Sequence, residues 1–164
     1  MVDTTGGAPG RRTERLELRV PTSRTQLPAV RAMTGDLAMR MDFDLDAVED
    51  LRLAVDEASA TLASVAAPGT PLVAVFETGP TGLSITAWVS TTEGTDVPRD
   101  GFGWAVIAAL VDSVDAGPAD RADVPGGEGG EGPVATITLV KELPPPLRAP
   151  AAPGDSDADL SVAR

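Results

Sequence analysis

The chain has 164 residues and a formal net charge of −12, and it contains neither cysteine nor histidine. This length suits one domain with a hydrophobic core, whereas the acidic charge argues against a nucleic-acid-binding surface. The missing residue types exclude disulfides, Cys/His zinc sites, thiol nucleophiles and a histidine base.

The two ends of the chain differ in composition from its middle. Residues 1–14 and 143–164 are rich in Pro, Gly, Ala and Asp and lack apolar periodicity, so we predict a disordered tail at each end. The predicted domain therefore spans residues 15–142. The sequence has no signal-peptide core and no apolar run long enough to cross a bilayer, which favours a cytoplasmic protein that does not contact the membrane.

The predicted elements follow the order β-α-α-β-β-α-β. Alternating strand patterns predict four strands at 15–20, 71–77, 83–89 and 134–140. Helical apolar spacing predicts three helices: one at 27–41, one from near Asp44 or Asp46 to Val65, and one that opens at Gly101-Phe102-Gly103. Gly117-Pro118 is the predicted stop of the third helix, whose predicted core positions are Trp104, Ile107, Ala108, Val111 and Val114. The residues around 113–116 are predicted to pair with the last strand. The order predicts an α+β, two-layer α/β sandwich with a mixed, mostly antiparallel sheet and helices on one face.

The segment LRLAVDEASATLASVA, residues 51–66, places Asp56 and Glu57 side by side in the middle of an amphipathic helix. Glu57 and Thr61 are one turn apart, away from the main apolar stripe. A glutamate and a polar oxygen at this spacing can hold a water and a Mg²⁺ ion beside a phosphate. The alternative is a solvated helix edge.

The segment RDGFGW, residues 99–104, places Gly101 and Gly103 immediately before and within the start of a helix. Glycines at such a position allow close approach of the backbone, and free amide groups attract anions. This pattern is typical of a phosphate cradle or of a plain turn. Trp88 and Trp104 are predicted to be core or groove-wall aromatics.

In this order and at this spacing, the two segments resemble a known family. RLAVDEASATLASVA resembles the N-box helix, and DGFGWAVIAALVDSVD the glycine box and its following helix, of the bacterial anti-sigma factor serine kinases. These proteins have the histidine-kinase-like (Bergerat) ATPase fold. The run FDLDAVEDLRLAVDEA is especially similar to the actinobacterial, mycobacterial-type branch of stress anti-sigma factors.

The resemblance implies roles for individual residues. Glu57 falls on the catalytic glutamate, and Gly101 and Gly103 fall on the glycine box that binds phosphate. Thr61 replaces the asparagine that binds Mg²⁺, and Val89 lies in the window Trp88 to Thr91, which lacks the aspartate that binds adenine. We therefore expect a degenerate site in which binding of ATP and Mg²⁺ is weak or lost.

The resemblance also implies the partners. Arg31, on the first helix, falls where the family contacts the sigma factor and the anti-anti-sigma (STAS-type) protein. The expected function is sequestration of an alternative sigma factor by a homodimer, through partner switching and without direct nucleic-acid contact. The alternatives are an active ATP-dependent serine/threonine kinase of the anti-anti-sigma protein, and a domain of the same fold with another protein client.

Overall fold

The structure, a computed structural model, describes residues 13–93 and 95–144. The predicted tails, 1–14 and 143–164, lie almost wholly outside these residues. The described elements are β1 (Glu14–Pro21), α1 (Pro28–Arg40), α2 (Leu45–Val65), β2 (Pro71–Thr78), β3 (Gly82–Ser90), α3 (Phe102–Leu110), β4 (Ser113–Asp120), a single 3₁₀ turn (Arg121–Asp123) and β5 (Pro133–Glu142).

The five strands form one sheet in the order β1-β2-β3-β5-β4, and the three helices pack on one face of it. The predicted α+β class and two-layer sandwich are confirmed. Every neighbouring pair in this sheet is antiparallel, where the sequence predicted a mixed sheet. The sheet has no parallel pair because β4 follows α3 directly and forms an antiparallel hairpin with β5, to which residues 121–132 connect it.

The central helix is α2, which contacts both other helices and the sheet. It begins after Asp44, whose carboxylate accepts a hydrogen bond from the Ala47 amide at 2.8 Å and so caps the helix. Its buried face consists of apolar and small residues at helical spacing, namely Val48, Leu51, Ala54, Val55, Ala58, Ser59 and Leu62. Burial of this face holds the helix layer against the sheet.

The third helix is shorter than the sequence predicted. It ends at Leu110, and Val114 and the expected stop, Gly117-Pro118, lie in β4. Pairing with β5 begins two residues after the end of α3, where the Asp112 amide donates a hydrogen bond to the Val140 carbonyl oxygen at 3.0 Å. Since β4 is an edge strand, it tolerates a proline that cannot donate a ladder hydrogen bond.

The opposite face of the sheet carries a second, smaller core around Trp88, which is 2% exposed. Residues 121–132, here called the back-face loop, fold over it. The Trp88 indole N–H donates to the Pro125 carbonyl oxygen at 2.8 Å, and the Arg121 guanidinium lies 5.5 Å from the ring centroid. Arg19 of β1 donates to the Gly126 carbonyl oxygen at 2.6 Å. Trp88 is thus a core aromatic, as predicted.

None of the helices described in the structure has the length and apolarity needed to span a bilayer.

Candidate functional site

The two adjacent carboxylates of α2 face different neighbours. Successive helical positions are about 100° apart, so side-by-side residues project in different directions. The Asp56 carboxylate accepts a hydrogen bond from the Arg31 guanidinium of α1 at 2.9 Å. The Glu57 carboxylate oxygen lies only 2.9 Å from the point that a Cβ atom on Gly103 of α3 would occupy. The acidic pair therefore contacts the helix on each side of α2.

Glu57 and Gly103 mark one end of a seam between α2 and α3. At its other end, the Lys141 ammonium donates to the Leu110 carbonyl oxygen at 2.9 Å and lies 3.8 Å from the Asp50 carboxylate. Because the first turn of α3 meets Glu57 and its last residue lies near Asp50, the two helices run antiparallel. We call this contact the α2–α3 seam. It brings together Glu57 and Gly103, which are 46 positions apart in the sequence.

Two further residues predicted to bind nucleotide lie close to this seam. Thr61 is half-buried and lies one turn after Glu57 on the same side of α2. Gly101 is the residue before α3, in an extended conformation, and open space lies where its side chain would be. Glu57, Thr61, Gly101 and Gly103 thus belong to one region of the molecule.

Val89 does not belong to that region, since its side chain is fully buried in the main core beneath the helices. Its neighbour Trp88 lies on the opposite face of the sheet, under the back-face loop. Thr91, at the end of the same window, is 8% exposed and its hydroxyl has no hydrogen-bond partner among the described residues. In the window Trp88 to Thr91, the buried polar group is thus the Thr91 hydroxyl, whereas the resemblance implies an aspartate carboxylate there.

The acidic side chain of Glu57 lies directly in front of Gly103 at the seam. The Glu57 carboxylate fills the space in front of Gly103, so a phosphate group there would meet a negative charge at short range. The nearest cation in the sequence, Arg99, is turned toward β4 and donates to the Ala116 carbonyl oxygen at 3.2 Å. Within residues 13–93 and 95–144, no group of three or more acidic side chains is placed to hold a metal ion.

Arg31 lies on the outer surface of the α1–α2 pair. Its side chain is 48% exposed, and that of its partner Asp56 is 35% exposed. Exposed ion pairs of this kind contribute only about 0.2–1 kcal/mol to stability, so Asp56 orients Arg31 without holding it tightly. Sequence reasoning missed this pair, since two residues 25 positions apart share no local signal.

Comparison with known proteins gives one set of relatives. No protein-family model matches the chain. The chain is 33% identical over 99 residues to the anti-sigma-F factor RsbW of Mycobacterium tuberculosis, in strains CDC 1551 and H37Rv. The matched region is 60% of this chain and 59% of each relative, so the chain spans less than two thirds of their length. The resemblance to mycobacterial-type anti-sigma factors is thereby confirmed.

Proposed function

We propose that this protein is an anti-sigma factor, which binds an alternative sigma factor and keeps it from RNA polymerase. The observation that carries the proposal is the 33% identity over 99 residues to the mycobacterial anti-sigma-F factor. An anti-anti-sigma protein competes for the same surface and releases the sigma factor. The protein works in the cytoplasm as a homodimer and has no direct contact with nucleic acid.

The partner-binding residue in this proposal is Arg31. Its guanidinium is half exposed and paired with Asp56 at 2.9 Å, so it can exchange this carboxylate for one on a partner at little cost. A guanidinium binds a carboxylate through two parallel hydrogen bonds, which gives such a contact geometric specificity. The exchange would leave the fold intact, because both side chains lie at the surface of the helix pair.

The test is direct binding to each alternative sigma factor of the same genome, by pull-down and then calorimetry. We expect one of them to bind, and Arg31→Ala to weaken that binding by about 10- to 100-fold, since hydrogen bonds involving charged groups contribute about 1.5–3 kcal/mol. Arg40→Ala is the matched control, because Arg40 lies on the same helix and pairs with Asp36 at 2.8 Å.

Asp56→Ala separates a contact role of Arg31 from a structural one. If Arg31 contacts the partner, removing Asp56 frees the guanidinium and leaves binding unchanged or tighter. If Arg31 only stabilises the helix pair, Asp56→Ala and Arg31→Ala weaken binding equally, and the assignment of Arg31 is wrong. Failure of every sigma factor to bind the unmodified protein would refute the proposed function itself.

We also propose that nucleotide binding is weak or lost. Support comes from Thr61 in place of an asparagine, from the burial of Val89 in the core, and from the Glu57 carboxylate in front of Gly103. Titration with Mg·ATP by calorimetry should give no heat at millimolar nucleotide. Saturable micromolar binding that Glu57→Ala abolishes would instead favour the second candidate function, an ATP-dependent kinase of the anti-anti-sigma protein.

A further inference from the structure

The third helix has an unusual composition for a surface element. All nine residues of α3, FGWAVIAAL, are apolar or glycine, yet Ile107 alone of them is buried. Phe102 is 86% exposed, and Ala105 and Ala109 follow it at i+3 and i+7 as exposed residues of the same face. A helix that is apolar on all sides is normally buried, whereas this face of α3 is exposed to solvent.

The apolar surface continues onto α2. Leu53 is 46% exposed and lies one turn before Glu57, on the outer side of the α2–α3 seam. Because the two helices run antiparallel, position 53 of α2 lies level with the middle of α3. We call Leu53, Phe102, Ala105 and Ala109 the apolar patch. Leu53 and Phe102 are large apolar side chains exposed on adjacent helices, and exposed apolar surface of this kind is typical of a protein interaction site.

Carboxylates surround the apolar patch. Asp50 and Glu57 lie along its α2 side, and Asp100 and Asp112 lie just before and just after α3. Lys141, at the end of the seam, is 17% exposed at its side chain and already contacts Asp50 and the Leu110 carbonyl oxygen. The Asp112 carboxylate accepts a hydrogen bond from the Glu142 amide at 2.6 Å, and Lys141 and Arg99 offset part of the charge, so this part of the surface is net negative.

We propose that the apolar patch binds a basic amphipathic helix of the partner protein. Its apolar side chains would cover Phe102 and Leu53, and its lysines or arginines would meet the surrounding carboxylates, which is the helix-in-groove mode of recognition. Two copies of this chain meeting at the patch would bring two acidic edges together, so a second copy is a poor occupant of this patch. An anionic membrane surface is repelled for the same reason.

This inference rests on the proposed function, in which the partner is an alternative sigma factor. The apolar patch can nevertheless be tested without the sigma factor. The probe is an 18-residue amphipathic peptide of leucine and lysine, titrated into the full chain while tryptophan emission is recorded. Trp104 lies in α3 and reports on the patch. We expect saturable binding that weakens as salt rises, and no binding of the matching leucine and glutamate peptide.

Point variants separate the apolar contact from simple charge attraction. Phe102→Ser and Leu53→Ser should each raise the dissociation constant about tenfold, as expected for the loss of a large apolar contact. Met39→Ser is the matched control, because Met39 is 53% exposed but lies on α1. Equal binding by the Phe102 and Met39 variants would overturn the proposal. So would a dimer that Phe102→Ser converts to a monomer in sedimentation, since the patch would then bind a second copy.

The same variants, tested with the sigma factor, distinguish failure of this surface from failure of the proposed function. If the sigma factor binds and Phe102→Ser binds it as tightly as Met39→Ser does, the patch is not its docking site and the anti-sigma function stands. If no sigma factor binds while the peptide results hold, the anti-sigma function is wrong and the patch serves another partner. Circular dichroism of each variant establishes that it is folded.

Discussion

Replacement of Trp88 by phenylalanine tests whether the back-face loop is held by specific contacts with the sheet. The indole is 2% exposed, donates to the Pro125 carbonyl oxygen at 2.8 Å and lies under the Arg121 guanidinium at 5.5 Å. Phenylalanine keeps an aromatic ring in the second core but cannot donate that hydrogen bond. The loop would then lose its one side-chain donor from the centre of the sheet.

The expected cost is the sum of three effects. The lost hydrogen bond contributes about 1 kcal/mol. The weaker cation–π contact of phenylalanine contributes about 0.5 kcal/mol. The void left by the smaller ring contributes about 1 kcal/mol. We therefore expect the free energy of unfolding of Trp88→Phe to fall by about 2–3 kcal/mol, with a decrease in Tm of roughly 6–12 °C.

Urea denaturation followed by the emission of Trp104, the remaining tryptophan, measures this change. A double-mutant cycle with Arg121→Ala measures the difference between the cation–π contacts of tryptophan and phenylalanine, and its coupling energy should be about 0.5 kcal/mol. A loss of less than about 0.5 kcal/mol in Trp88→Phe would refute the reasoning, because a buried tryptophan with these contacts cannot be replaced so cheaply.

Three further predictions concern stability and charge. Gly82→Ala should lower the free energy of unfolding in urea by about 1–3 kcal/mol, because a Cβ there meets the backbone of β5, whereas Gly117→Ala meets open space and serves as the control. Asp44→Ala should cost about 1 kcal/mol in the same assay through loss of the α2 cap, and Asp44→Asn should restore most of it. Hydrogen bonds from its own backbone amide, from Arg15 and from the Gly126 amide hold the pKa of Glu128 below its ordinary value. The stability that this carboxylate contributes is therefore present at neutral pH and is lost as pH falls through the lowered pKa. Arg15→Ala should raise the pKa of Glu128 in an NMR titration, and an unchanged pKa would contradict Arg15 as a cause.

The sequence predicted the elements whose patterns are local. The stripe of α2 follows from apolar spacing, and its start near Asp44 or Asp46 follows from acidic residues at its N-terminus; the structure begins it after Asp44. The pairing of residues 113–116 with the last strand is confirmed. The end of α3 was wrong because apolar spacing continues through Val111 and Val114, although pairing with β5 converts those positions to strand. Apolar spacing alone does not show where a helix ends and an edge strand begins.

The candidate site was predicted only in part. Glu57 and Gly103 were singled out by their residue types and by a resemblance, and the structure brings them into contact. The contact between Arg31 and Asp56 could not be predicted, since it depends on the packing of α1 against α2. The exposure of Phe102 likewise could not be predicted from composition, because so apolar a helix is expected to be buried.

The position of β1 at the edge of the sheet has a consequence for synthesis on the ribosome. Its partner residues run from Pro71, opposite Pro21, to Thr78, opposite Glu14, so β1 has no strand to pair with until the whole α1–α2 hairpin has been made. Helices need only contacts close in sequence, whereas strands distant in sequence must first close a long loop. The hairpin that carries Arg31 and Asp56 can therefore form early, while β1 remains unpaired until β2 has been made.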